Sequence, residues 1–317
     1  MNFNDIILTY KNIINNELEN IYSTGPANIR VPVDHVLKGG KRFRPILCLL
    51  TSSSFKGNKK NALIASVAIE LLHNFTLVHD DIMDKDDVRH GSPTIHNKWN
   101  DSIAILSGDA ILALALIHLN NLTENKDLII EKFNNALIEV CEGQALDLAF
   151  EDSNEISEKK YMMMIDKKTG HILGLCSEVG SIISNNDSGL HAKLQKYGIL
   201  IGRAFQIQDD LLEVISNQKK MGKSLKSDFL LNKKTCLTIK ANSIDSNIVN
   251  KYVDIAKNDF NLGFSLYKKF LTENNILHET KELINNTLKS AKNILDSLDM
   301  NNKYLYEYTN LILNRDA

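Results

Sequence analysis

Two short stretches could do chemistry: Asp80-Asp81-Ile82-Met83-Asp84 and Asp209-Asp210-Leu211-Leu212-Glu213. Residues four apart in a helix share a face, so Asp80 would stand beside Asp84, and Asp209 beside Glu213. Stacked like charges destabilise a bare helix by roughly a few tenths of a kcal/mol per pair. Two such arrangements predict compensation by cations. Oxygen-only donors favour hard ions such as Mg2+, which keeps waters and bridges carboxylates to substrate phosphates. The spacing therefore predicts a polyphosphate held between two carboxylate-bearing helices.

Basic residues accompany both clusters. Lys41, Arg42 and Arg44 follow the paired glycines Gly39 and Gly40, Arg89 lies just past the first cluster, and Lys167-Lys168-Thr169 stands alone. Lys223 and Lys233-Lys234-Thr235 follow the second cluster. Arginine forks bind phosphate oxygens in pairs and lysine acts as a point charge. Together they point to two anionic substrates, one metal-bound and one held by side chains alone. Taken singly, each acidic cluster also fits a solvated helix face. A calcium loop starting at Asp84 fails at its twelfth position, Ile95, where a bidentate Glu is needed. His79-Asp80 matches the dyad of metal phosphohydrolases, but further His and Asp ligands for such a site cannot be placed.

The elements that must position these residues read as helices. Leu, Ile, Ala, Lys and Glu recur at spacings of three and four over 62–77, 102–119, 128–150, 159–183, 190–215 and 278–298. The four prolines end at Pro93, so none breaks the later segments. No strand alternation with hairpin turns appears. The pattern predicts an all-α chain of about ten helices with short loops. Gly91-Ser92-Pro93-Thr94 is expected to end the first acidic helix. Length alone suggests about two domains, but all-helical folds exceed that prior, and residues 1–317 are expected to form a single domain.

Composition narrows the class. The 317 residues are 43% hydrophobic and 24% charged with a formal net charge of −2, so no global basic field invites nucleic acid. The four cysteines are scattered, without zinc-ligand spacing, and are expected to be buried thiols in a reducing, cytoplasmic compartment. The N-terminus lacks a signal-peptide pattern. The most apolar run, 103–119, holds Asp109 and falls short of the ~20 residues of a membrane span. No span is expected, and that run should form a fully buried core helix.

Read in order, the motifs resemble the trans-isoprenyl diphosphate synthases, the polyprenyl synthetase family. They are Gly39-Gly40-Lys41-Arg42-Phe43-Arg44-Pro45; His73; His79-Asp80-Asp81-Ile82-Met83-Asp84 with Arg89 and Gly91; and Gly108-Asp109. Then come Gly143-Gln144 with Asp147, Lys168-Thr169, Phe205-Gln206-Ile207-Gln208-Asp209-Asp210, and Gly222-Lys223 through Asp228 to Lys233-Lys234-Thr235. The match runs from Gly39 to Thr235; the flanks rest on helix periodicity.

The resemblance implies a bundle around a deep central cavity, the isoprenoid synthase type I fold. It implies that Asp80 and Asp84, helped by Asp81, and Asp209 on the facing helix bind Mg2+, three ions per site, two at the first cluster and one at the second. Asp210 and Glu213 would act through water or neighbours. Arg89, Lys168, Thr169, Gln206, Lys223 and Lys233 would hold the allylic diphosphate (dimethylallyl, geranyl or farnesyl). Lys41, Arg44 and His73, with His90, would hold isopentenyl diphosphate. Asp80, Asp84, Lys168 and Asp209 would carry the catalysis. The allylic C–O bond breaks, the alkene attacks the cation, and a proton leaves to pyrophosphate. Metals and cations stabilise charge on the leaving group, and an apolar cavity shields the cation from water. The family precedent is a homodimer.

The chain departs from the family pattern in three respects. His90 replaces the second arginine before Gly91, Glu213 replaces an aspartate, and Lys226-Ser227 and Asn232 replace loop glycines. Phe75 and Thr76 lie five and four residues before Asp80, about one turn deeper, where a bulky ring would floor the cavity. That pair, with no insertion between Asp81 and Asp84, resembles archaeal-type short-chain synthases making geranylgeranyl diphosphate. Farnesyl or longer products, a non-catalytic subunit of a heteromeric synthase, and a class I terpene cyclase are the alternatives. Retention of both acidic clusters opposes the silent subunit. The second basic site, Lys41, Arg44 and His73, opposes the cyclase.

Overall fold

The structure, a computed structural model, describes residues 2–151, 153, 156–185, 187–215, 229–231, 233–298 and 302–313. Among the described residues it is all-α, as the periodicity predicts, apart from one hairpin of two-residue strands. Helix α1 (Phe3–Glu19) opens on a capping box between Asn2 and Asp5. Next come α2 (Ala27–Leu37) and α3 (Phe43–Ser54), the latter entered through Arg42 in the left-handed region at φ 56. Helix α4 (Lys59–Met83) starts where the Asn58 side chain accepts the Lys60 and Asn61 N–H groups. The hairpin β1 (Val88–Arg89) and β2 (Ser92–Pro93) turns through His90 and Gly91, both at positive φ.

After the short α5 (Ile95–Lys98) come the long α6 (Asp101–Leu119) and α7 (Lys126–Glu151). Helix α8 (Glu158–Ile165) runs through a π-helical turn (Asp166–Gly170) into α9 (His171–Ile182), and α10 (Ser188–Ile215) follows. The C-terminal part holds α11 (Cys236–Ile244), α12 (Ile248–Asn258), α13 (Phe260–Glu273), α14 (Ile276–Asp296) and α15 (Lys303–Leu313).

One apolar cluster reaches from Ile14 in α1 to Ile312 in α15. Helix α9 is buried from Ile172 to Ile182 and forms its centre. Helix α4 packs on α3 and α6, α3 on α9, and α9 on α10. The π-turn packs on both α10 and α7, and α7 returns to α4. The helices bearing the two acidic clusters are thereby built into opposite sides of one ring of contacts.

Three expectations change. The first acidic helix stops at Met83, well before Gly91, because Asp84 caps it and the chain turns at Lys85, φ 54. The run 103–119 is a helix but not a fully buried one. Only 33% of its most apolar window is buried, against 72% for that of α4, although both are apolar and long enough to cross a membrane by length and composition. An apolar helix at the edge of a single chain has no second layer to cover it, and Ile105, Leu106 and Ile117 stay exposed. Finally, Cys48, Cys176 and Cys236 are buried, whereas Cys141 is exposed on α7.

Candidate active site

Asp80 and Asp84 occupy the last turn of α4, the negative end of its macrodipole. Burial pushes the Asp80 carboxyl up to about 6; Asp84 and Asp147 add to the rise, while Lys168 and Arg89 oppose it. Asp84 is nearly buried and meets Lys233 Nζ at 3.4 Å, across 149 residues of chain. Asp81 points elsewhere: its Oδ1 accepts from Arg89 Nε at 2.5 Å, and Arg89 Nη2 also reaches Asp86 Oδ2 at 3.0 Å. Two acids thus clamp Arg89 beside the site.

Lys168 comes from the π-turn, a distortion that re-aims side chains and recurs at functional sites. Its Nζ donates to Asp147 Oδ2 at 2.6 Å. Burial would pull this ammonium down, but Asp147, Asp80 and Asp84 outweigh it and hold the group above its ordinary value. Gly143 lets α7 meet the turn, since a Cβ there would lie 2.3 Å from Lys168 N. Gly143 and Asp147 are four apart on α7, so one face of that helix seats both the backbone and the ammonium of Lys168.

On α10 the neighbouring acids divide their work. Asp210 is buried and accepts from Tyr161 Oη at 2.5 Å, Cys236 N at 2.9 Å and Gln206 Nε2 at 3.2 Å. Burial pushes its carboxyl up to about 7, and those three bonds oppose the shift. Asp210 therefore ties α8, α10 and the start of α11 together. Gln206 Oε1 accepts from Thr169 at 3.2 Å, linking the π-turn to α10. The charge of Asp209 is felt by Arg44 on α3. Glu213 lines a cavity of about 20 Å3 with Lys233, Thr235 and Tyr267, room for one water.

A second basic site lies beside α4. Arg44 Nη1 donates to His73 Nε2 at 3.0 Å, so the imidazole accepts there. Burial pulls His73 well below its ordinary value, as do the charges of Arg44, Arg89, His90 and Arg42, and the ring is neutral. Arg44 Nε is buried with no partner, and among the described residues no carboxylate bonds this guanidinium. His90, at φ 51, is exposed beside this pocket. Lys41 is exposed directly after Gly39 and Gly40, whose φ of 82 and 85 are open to glycine. Arg42 does not join it. Arg42 is buried, with Nη1 on Glu70 Oε1 at 2.7 Å, Nε on Asn15 Oδ1 at 2.9 Å and Nη2 on Leu37 O at 2.5 Å. Its sequence position beside Lys41 and Arg44 suggested an anion ligand; its left-handed backbone turns it into the core.

Phe75 and Thr76 are buried in α4, about one turn before Asp80. Thr76 Oγ1 bonds its own helix at His73 O, 2.8 Å. Lys223, with the departures at 226, 227 and 232, lies outside the described residues.

A sequence model of the polyprenyl synthetase family matches residues 26–261. The chain belongs to the polyprenyl synthetase family. It is 38% identical over 242 residues to a geranylgeranyl pyrophosphate synthase of Geoglobus acetivorans, covering 75% of this chain and 76% of that protein. It is 36% identical over 249 residues to a geranylgeranyl diphosphate synthase of Saccharolobus solfataricus, covering 76% and 75%. A solved geranylgeranyl pyrophosphate synthetase of Pyrococcus horikoshii superposes with TM-score 0.90 at 31% identity, over 99% of this chain and 98% of that one. Membership makes the protein a trans-prenyltransferase of a family that generally uses Mg2+, isopentenyl diphosphate and allylic diphosphates.

The donor set fits such an ion. Among the described residues no three His, Cys, Asp or Glu side chains form a ready metal cage. Mg2+ needs none, because it takes one or two carboxylates and completes its shell with water and substrate phosphate. Tyr161 and Glu70 escaped the motif reading. Each acts through a partner distant in sequence or on another element, and an isolated Tyr or Glu on a helix carries no spacing signal.

Proposed function

We propose that this synthase condenses isopentenyl diphosphate with dimethylallyl, geranyl and farnesyl diphosphates in turn, ending at geranylgeranyl diphosphate. The observation that carries the reading is the pairing of two unlike sites, one at the end of α4 and one between α3 and α4. Asp80 and Asp84 meet lysines from the π-turn and from residue 233, while Arg44 donates to His73 and, among the described residues, has no carboxylate bonded to it. The first suits a diphosphate that arrives with its own cations. The second suits a diphosphate held by side chains alone.

In this reading Arg89, Lys168, Thr169, Gln206 and Lys233, with Lys223, hold the allylic diphosphate. Lys41, Arg44 and neutral His73 hold isopentenyl diphosphate, with His90 at the rim. Asp80 and Asp84 on α4 and Asp209 on α10 would hold Mg2+, two ions at the first cluster and one at the second, which neutralises the leaving diphosphate. Asp81 contributes by holding Arg89. The allylic C–O bond breaks, both its electrons leave with pyrophosphate, and the isopentenyl double bond adds to the cation. Loss of a proton to pyrophosphate restores an alkene. The growing tail runs toward Phe75 and Thr76, whose bulk supports the geranylgeranyl end-point, as do the names of the relatives.

The whole chain, 1–317, is taken as a single polyprenyl synthetase domain, supported by its one core cluster. A second copy covering Ile105, Leu106 and Ile117 of α6 would make it a homodimer. The test is to incubate the purified chain with Mg2+, isopentenyl diphosphate and each allylic primer, and to size the products. Geranylgeranyl diphosphate is expected. Absence of prenyl product with every primer would favour the silent-subunit reading instead. A hydrocarbon formed without isopentenyl diphosphate would establish a cyclase.

A further inference from the structure

The Phe75 ring does not stand alone at the end of its side chain. On the next turn of α4 the His79 ring lies 4.7 Å from it, centroid to centroid, at 63°. Residues four apart on a helix meet in this way, and an edge-to-face contact fixes both rings. His79 is in turn seated against α6. Its Nε2 lies 3.4 Å from Ile105 O and 3.9 Å from Asp109 Oδ1. Gly108 supplies the seat: a Cβ there would lie 2.3 Å from His79 Nε2 and 2.6 Å from its Cδ2. The imidazole is wedged between a ring on its own helix and bare backbone on the next. His79 thus joins Phe75 to α6 one residue before Asp80 on the same helix.

We propose that His79, held by Gly108, is a positioning residue that locks the Phe75 ring across the path of the growing chain, so that product length is set by the three residues together. This rests on the reading of Phe75 as the floor. Without His79, Phe75 could swing to another rotamer, and the floor would open part of the time. Rotamer preferences of the usual size then allow a roughly two- to tenfold change in the ratio of longer to main product.

The experiment sizes products from wild type, His79→Ala, Phe75→Ala and the double variant, with thermal midpoints measured alongside. The expected result is a longer product profile for His79→Ala, and no further lengthening when it is added to Phe75→Ala. An unchanged profile in a folded His79→Ala protein overturns the proposal, as does lengthening that adds to that of Phe75→Ala. Should His79→Ala fail to fold, Gly108→Ala displaces the imidazole with a single methyl. Its profile should depart from wild type, and a wild-type profile would sink the clamp. These outcomes are separate from failure of the functional reading, which shows as wild-type protein making no prenyl product. They are also separate from failure of the floor assignment, which shows as an unchanged Phe75→Ala profile.

Discussion

Adjacent acids in each motif face different neighbours. Asp80 and Asp84 share a helix face, whereas Asp81 turns to Arg89 and Asp210 turns to Tyr161 and the start of α11. A step of one residue rotates a helical side chain by about 100°, so side-by-side aspartates meet different neighbours. Asp80→Ala is therefore expected to cut turnover by roughly 10²-fold or more with the thermal midpoint preserved. Near-normal turnover would remove Asp80 from the metal assignment. His73 gives a pH-dependent stability effect. Its folded pKa lies well below 6.5, burial being the main cause. The folded state thus resists a proton that the unfolded chain accepts, and stability drops as pH falls through 6.5. His73→Gln should flatten that part of the stability profile, read by denaturant midpoints from pH 7.5 down. An identical slope in the variant would mean that His73 is protonated in the folded protein.

At the scale of elements, close helix contacts aim the side chains. The π-turn reaches α7 through Gly143. Gly143→Ala forces a methyl against Lys168 N, an overpacking cost of about 1–3 kcal/mol, and should lower turnover along with stability because Lys168 moves. Stability and turnover both at wild-type level would show that the turn does not depend on that contact. The ion pair of Arg42 with Glu70 joins the start of α3 to α4 and is almost wholly buried. Burial alone raises the Glu70 carboxyl, and Arg42 opposes the rise. Arg42→Ala leaves a buried acid without its cation and should cost about 3–5 kcal/mol in urea unfolding. A loss below about 1 kcal/mol would mean that water reaches the pair. Hydrogen bonds of this kind join residues far apart in the chain, which is why Arg42 looked like a substrate ligand in sequence and is a structural cation in space.

For the whole molecule, the open question of assembly falls on α6. Its Ile105, Leu106 and Ile117 are 47%, 52% and 62% exposed, and Ile138 of α7 is 57% exposed. Monomeric proteins rarely leave contiguous apolar faces uncovered. Ile117→Asp places a charge on that face, with the core untouched. Sedimentation should show the wild type as a dimer and the variant shifted to monomer. A variant dimerising as tightly as the wild type would place the interface elsewhere.

Local chemistry in the chain determined a good deal by itself. Apolar spacing of three and four specifies helices wherever they form, and the acid spacing puts Asp80 with Asp84 on one face. The ordered motifs from Gly39 to Thr235 were enough to mark the family. The tertiary structure decided what depends on neighbours distant in sequence. It assigned Asp81 to Arg89, Asp210 to Tyr161, Arg42 to Glu70, and His79 to Gly108. It also decided that the most apolar helix lies at an edge. Periodicity reports which face of a helix is apolar, but a helix apolar all round has no preferred face. Only the packing of the other helices determines which side is left uncovered.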